Sequence, residues 1–442
     1  MSPAETDAPF ISGMHGARAL VELTLRLRNA GSVDRESLAR DLTVLGRVAQ
    51  AVPVRCVNLA DRLSDWGHLW DLVLADSQYG AVVTECSEAL GPHEPCERDS
   101  DVLSQSIAAA VNFLLDARNR EGWWQDFSTT YGAADEWVTA YVGSALTSAD
   151  HSGAQRAARD AWRLLCSRRE ADDGWGYNRF VPPDADSTAW ALRLAQAIGE
   201  SETDRARAAR RFLNQHLLRG NAVTTYLEDR LRAFAGTPPG SLDGWCRTPH
   251  DCVTAAVAEV TEIGDSVGHY LQKQQQPDGA WNGYWWFDDA YTTALATVAL
   301  AKRDNRRRRQ IVQAAARWAA ERIGPDGAAR CPLADLPSAF ATAACVRILL
   351  NGPPSGGVTE SLDSAARWLF DAQRLNGSWL SSAYFAFPAP SVTDACNAVN
   401  VPSVLDSDGI FTTATVLNAL TAYQAAMTDE QSAPVAAAAS GV

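Results

Sequence analysis

Asp184-Ala185-Asp186-Ser187-Thr188-Ala189-Trp190-Ala191-Leu192 is the stretch from which the fold can be read, because its Thr-Ala pair opens an apolar run and recurs. The same pair stands at Thr139-Ala140, Thr254-Ala255, Thr293-Ala294, Thr342-Ala343 and Thr413-Ala414. Internal repeats of this kind decide the architecture before any local reading. Two residues before each Thr stand Trp137, Asp186, Cys252, Tyr291, Phe340 and Phe411. If the segments are equivalent, these residues form one ring of aromatics and a thiol around a single carboxylic acid. Such a lining suits protonating a hydrocarbon and stabilising the cation that follows.

Each Thr-Ala unit follows another apolar segment that closes on a glycine turn, usually with Trp. The turns are Glu121-Gly122-Trp123, Asp173-Gly174-Trp175, Asp243-Gly244-Trp245, Asp278-Gly279-Ala280-Trp281, Asp326-Gly327 without its Trp, and Asn376-Gly377-Ser378-Trp379. The turn tryptophans are expected as wedges between outer helices. The Thr-Ala helices are apolar all round, as in Thr293-Ala294-Leu295-Ala296-Thr297-Val298-Ala299-Leu300, and such helices are buried on every side. The preceding helices carry charge on one face; Arg156, Arg159, Asp160 and Arg163 recur at helical spacing. The pattern predicts an all-α chain: an α/α barrel of six helix pairs over residues 104–425. Residues 1–103 are expected as a helical N-terminal region, with one worn repeat at 69–90 and room for no second barrel. Residues 426–442, rich in Ala and Ser, are expected as a disordered tail.

The Gln-x(n)-Gly-x-Trp turns and the segment Asp184–Ala189 resemble the squalene and oxidosqualene cyclases and the other class II terpene cyclases. The resemblance covers residues 104–425; the turn motif is shared with protein prenyltransferase β subunits. It implies that Asp186, third in Asp-x-Asp-x-Thr-Ala, is the catalytic acid. Hopene-forming cyclases place another Asp next, where this chain has Ser187. Lanosterol-forming cyclases place Cys there and a second Cys from the following repeat, which Cys252 matches. The resemblance thus implies Ser187 and Cys252 as partners of the acid, and the register shared with Asp186 gives Trp137, Tyr291, Phe340 and Phe411 as the expected substrate-binding wall. Large triterpene cyclases hold two barrels. The expected substrate here is therefore a C15–C20 polyprenyl chain, alone or attached to another group, cyclised after protonation of an alkene or epoxide.

Asp184 has two readings, as part of the catalytic motif or as a helix cap. It shares its register with Asp135, His250, Asp289, Ser338 and Gly409, and Asp, Ser and Gly are favoured N-caps. Asp243, Cys246, His250 and Cys252 lie within one short stretch and offer zinc-ligand chemistry. The prenyltransferases, however, draw their ligands from different repeats, so neither metal nor cofactor is expected. Arg306-Arg307-Arg308-Arg309 reads as a solvated run. No Asp-Asp-x-x-Asp occurs, so magnesium-dependent ionisation has no support. The net charge of -14 argues against nucleic acid as a partner. No run is long enough to span a membrane, and no signal pattern follows Met1. The nine cysteines lack paired spacing, which fits a reducing cytoplasm. The expected partner is an isoprenoid small molecule. Two other function classes are open: a prenyl- or protein-binding barrel without catalysis, and a zinc-dependent prenyltransferase-like enzyme.

Overall fold

A computed structural model describes residues 99–439, apart from 169–173, 236–241, 303–304, 334, 375 and 396–400. Most of the expected N-terminal region, including 69–90, lies outside the described residues. The chain runs through α1 (Asp99–Asp116), a hairpin of β1 (Asp126–Thr129) and β2 (Gly132–Ala134), α2 (Glu136–Leu146), α3 (Ser152–Arg168), α4 (Ala185–Ala197) and α5 (Asp204–Asn214). Next come α6 (Glu228–Ala235), α7 (Asp243–Cys246), α8 (Asp251–Val257), α9 (Gly264–Gln274), α10 (Asp289–Ala301) and α11 (Arg306–Arg322). The chain ends with α12 (Ala339–Leu349), α13 (Gly356–Asp371), a hairpin of β3 (Tyr384–Ala386) and β4 (Ser403–Leu405), and α14 (Ile410–Ala439).

The Thr-Ala helices close a ring. Helix α2 packs on α4, α4 on α8, α8 on α10, α10 on α12, α12 on α14, and α14 returns to α2. Helices α3, α5, α9, α11 and α13 pack against them from outside. The inner helices bury nearly every side chain, as in α2 from Glu136 to Leu146, because their sequences carry no polar stripe to turn to water. By contacts the chain divides into two units, and the ring belongs to residues 110–372 with 379–442. In the other unit, Gln373 clamps the helix start: its amide donates to Ser106 O at 2.9 Å and accepts from Ser106 Oγ at 2.7 Å.

The recurring Thr has a definite job. Its hydroxyl accepts the backbone N–H of the residue that ends the preceding turn. The pairs are Trp124 to Thr139 (3.1 Å), Trp175 to Thr188 (3.0 Å), Val223 to Thr254 (3.0 Å), Trp281 to Thr293 (3.0 Å), Ala329 to Thr342 (2.9 Å) and Trp379 to Thr413 (3.3 Å). Where Trp is present, its indole N–H also donates to the carbonyl ten residues earlier, as from Trp281 to Leu271 at 2.8 Å. The small partner, Ala, lets turn and helix approach. At Gly174 the approach is so close that a Cβ would run into the Thr188 hydroxyl, and Gly279 has φ +108°, which disfavours any side chain.

These bonds correct the turn assignment twice. In the first repeat Trp124, not Trp123, bonds back to Leu114. In the third, Val223 occupies the turn, and Trp245 lies in an insertion carrying α6 and α7. In the fourth repeat the N-cap is Asp288, whose side chain accepts from Ala290, rather than Asp289. The last helix continues through Ala439, taking in most of the segment expected as a disordered tail; alanine is the strongest helix former. Among the described residues no helix is long and apolar enough to cross a membrane.

Replacing Thr293 with Val keeps the shape but leaves the buried Trp281 N–H without an acceptor. The expected loss is about 1–3 kcal/mol in denaturant unfolding, with Thr293→Ser recovering most of it. An unchanged unfolding midpoint in the Val variant would show that the hydroxyl pins nothing.

Candidate active site

The two carboxylates of the Asp184–Ala189 segment have opposite environments. Asp184 is the N-cap of α4: it accepts from Ser187 N at 2.7 Å and from Ser187 Oγ at 2.8 Å. Asp186, two residues on in the first turn of the same helix, accepts no hydrogen bond of normal geometry among the described residues. The Trp137 indole N–H lies outside that geometry too, though it is placed to steady an Asp186 anion. Asp186 is half-buried and borders a cavity. Burial pushes its carboxyl well above the ordinary carboxylate range, the Asp184 charge adds to this, and Arg193 and Trp137 oppose it. The geometry gives one carboxylate tied down as a cap and one poised to stay protonated.

This corrects the expected partners of the acid. Ser187 bonds to Asp184 instead of Asp186, because a residue three positions into a helix meets the cap rather than its own neighbour. Cys252 is buried, its thiol pushed up to about 12 by burial, and it keeps to the backbone of Trp285 and Tyr284. It makes no hydrogen bond to Asp186 among the described residues.

The cavity measures about 510 Å³ and opens at the N-terminal ends of the inner helices. Trp137 from α2 and Asp184, Asp186 and Ser187 from the start of α4 form one side. The third-repeat insertion supplies Thr225, Tyr226, Leu231, Phe234, Leu242 and Trp245. Trp285 comes from the loop before α10, and Phe385 and Phe387 from β3 and just after it. Trp285 stacks on Phe385 with ring centroids 5.6 Å apart and planes 5° from parallel. The wall is aromatic and apolar, with Asp186 and Asp184 as its carboxylates among the described residues.

The other ring residues are placed differently from expectation. Tyr291 borders a second, small cavity, and Cys252, Phe340 and Phe411 border neither. The cause is Trp286, which fills the middle of the barrel. Its ring lies 5.1 Å from Phe340, 5.4 Å from Phe411 and 4.5 Å from Tyr291. Phe127 joins this plug at 5.2 Å from Phe411 and 5.4 Å from Trp137. Phe127 has φ +49°, a conformation unfavourable for a bulky side chain and held here by full burial. Only Trp137 of the four expected wall aromatics faces the large cavity.

Sequence reasoning missed Thr225 and Trp285, which a buried histidine locks in place. Thr225 Oγ1 accepts the Trp285 indole N–H at 2.8 Å and lies 2.6 Å from His250 Nδ1. His250 Nε2 is 2.8 Å from Gly244 O, a pure acceptor. This network assigns the proton to Nε2, so Thr225 donates to Nδ1. Burial drives the imidazole down to about 3, so it is neutral. Both ring nitrogens are engaged, and the sequence cluster Asp243, Cys246, His250 and Cys252 has no free imidazole to offer zinc. The aromatic triplet Tyr284-Trp285-Trp286 before the cap was the available signal for this wall.

The chain was compared with known proteins. The squalene-hopene cyclase C-terminal domain family matches residues 256–331. Among solved structures, a variant of the type II terpene cyclase MstE from Scytonema, in complex with geranylgeranyl dihydroxybenzoate as substrate, is 39% identical. That match covers 74% of this chain and 99% of the other, with a TM-score of 0.70. Another MstE variant, bound to merosterolic acid A as product, is 39% identical over 74% of this chain and 98% of its own, with a TM-score of 0.70. A protein from Actinoplanes is 38% identical over 73% of this chain and 99% of its own, with a TM-score of 0.69. None of the curated proteins matches the chain.

The environment of Asp186 has a consequence for stability. The unfolded chain ionises this carboxyl near its ordinary value of 3.8, whereas the folded chain resists ionisation. Its contribution to stability therefore falls as pH rises above about 4. Asp186→Asn removes the titration and keeps the shape. The variant is expected to melt several degrees above the parent near pH 7–8, with the difference shrinking towards about pH 4. A variant that is less stable at neutral pH, or a gain independent of pH, would contradict the buried, protonated carboxyl.

Proposed function

The chain belongs to the class II terpene cyclases, and on that premise we propose that it protonates and cyclises a C15–C20 polyprenyl chain carried on a polar head group. The observation that carries the proposal is the uncapped Asp186, set in an aromatic wall and raised by burial. The MstE relative's substrate, geranylgeranyl dihydroxybenzoate, favours a C20 chain on an aromatic head group. Tyr131 and Phe234, paired at 6.1 Å at the cavity's lining and partly exposed, offer ring faces to such a head group. A cavity of about 510 Å³ is within the usual range for a small-molecule site.

In this reading, the Asp186 O–H gives its proton to the terminal alkene or epoxide of the chain. For an alkene, the π pair forms the new C–H bond, and the cation left on the more substituted carbon is attacked by the next double bond. Aromatic faces such as Trp137, Trp285 and Phe385 stabilise each cation by roughly 0.5–2 kcal/mol or more when dry. The same wall keeps water from quenching it early. The Asp186 anion is then steadied by Arg193 and the Trp137 N–H. Loss of a proton from the last cation ends the reaction.

The test is turnover of geranylgeranyl dihydroxybenzoate and of farnesyl and geranylgeranyl diphosphates, followed by mass and NMR identification of cyclised isomers. Asp186→Asn is expected to lower product formation at least about 10²-fold. Asp184→Asn is expected to cost far less, because Asn accepts the Ser187 N–H and Ser187 Oγ can turn from donor to acceptor. Ser187→Ala acts through the cap and Cys252→Ala through packing, so both keep substantial activity. Full activity in Asp186→Asn rules it out as the proton donor, and equal loss in both Asp variants makes Asp184 part of the chemistry.

A further inference from the structure

Farther along the inner helices, a second cavity of about 50 Å³ is bounded by Tyr141, Trp190, Arg193, Tyr291, Arg347 and Asn418. It shares no lining residue with the large cavity. Its polar groups are unusual in kind. Trp190 Nε1, Arg193 Nη1 and the Tyr291 hydroxyl are buried without a hydrogen-bond partner among the described residues. The Arg347 guanidinium likewise makes no hydrogen bond or ion pair among them. Trp190 is 5% exposed and Tyr291 3%.

The charges around the cavity do not cancel. Arg193 pairs with Glu259 at 3.2 Å, and Lys302 pairs with the same carboxylate at 2.7 Å from an exposed position. Arg347 makes no ion pair among the described residues; burial lowers its affinity for its proton, and Glu259, already paired with Arg193 and Lys302, offsets this only in part. Indole and guanidinium groups donate and never accept. Water filling the cavity accepts from them but leaves the charge uncompensated. A half-buried guanidinium with no hydrogen-bonding or ion-pair partner is costly. An anion supplies the lone pairs and the charge together.

We propose that this cavity binds one small inorganic anion of the halide class, held by Arg193, Arg347, Trp190 and Tyr291. The anion ties α4, α10 and α12 together well below the cavity mouth. The cavity is too small for a prenyl head group and suits a monatomic or small polyatomic anion. The site shares Arg193 with the cyclisation reading, where the same guanidinium steadies the Asp186 anion, but its test uses no substrate.

The experiment compares thermal unfolding of the full chain in sodium gluconate and in sodium chloride at equal ionic strength. Chloride is expected to raise the midpoint saturably, by about 5 °C at high excess over its dissociation constant. Arg347→Met is expected to abolish the response, and Trp190→Phe, which removes one donor and keeps a ring, to shift it to higher chloride. Bromide diffraction on the unaltered protein is the arm that needs no variant to fold. An anomalous peak within hydrogen-bonding reach of Arg193 Nη1 and Arg347 supports the site. Overlapping gluconate and chloride curves for the parent protein, a full chloride response in both variants, or a cavity that holds only water in bromide overturns it.

Discussion

The fold rests on one hydrogen bond made six times: a threonine hydroxyl on an inner helix accepts the N–H that ends the preceding turn. An inner helix buried on every side has no polar face to fix its height or rotation. The bond supplies both, because it ties a defined residue of the helix to a defined residue of its turn. Once Thr188 is fixed to Trp175, the residue two positions earlier must stand at the helix mouth. That residue is Asp186. The register that builds the barrel thus also delivers its carboxyl to the cavity.

The two aspartates show how little sequence distance separates structure from chemistry. Asp184 sits where the helix leaves its first N–H groups unpaired, and it is spent on them. Asp186 sits past the cap, with no backbone N–H to satisfy it and the Trp137 indole N–H nearby. Burial makes ionisation expensive, the Asp184 charge makes it more so, and Arg193 and the Trp137 N–H offset this only in part. The helix thereby uses one carboxylate as its cap and leaves the other facing the cavity with its acidity weakened.

The ring of six helices was legible because a helix that is apolar all round has one place to go. Asp186 stood out as the candidate acid because five of the six equivalent positions hold no carboxylate, and it does line the large cavity. What faces the cavity was not legible, for the same reason that the helices were. A helix buried on all sides gives no pattern to separate the side that meets a cavity from the side that meets a neighbour. Phe340 and Phe411 therefore looked equivalent to Trp137, yet Trp286 from a loop covers them. Loop residues such as Trp286 and Phe127 follow no periodicity, and Phe127 adopts a backbone angle no pattern rule would grant it. The glycine turn at Gly244 misled for a related reason. It repeats the motif's residues inside an insertion, while the true turn at Val223 has lost its tryptophan.

The plug of Trp286, Phe127, Phe340 and Phe411 makes the barrel a blind sac instead of a tunnel. A linear guest of the large cavity then enters and leaves through the same opening. Whatever it carries at its other end stays outside and sets no limit on the depth of the sac.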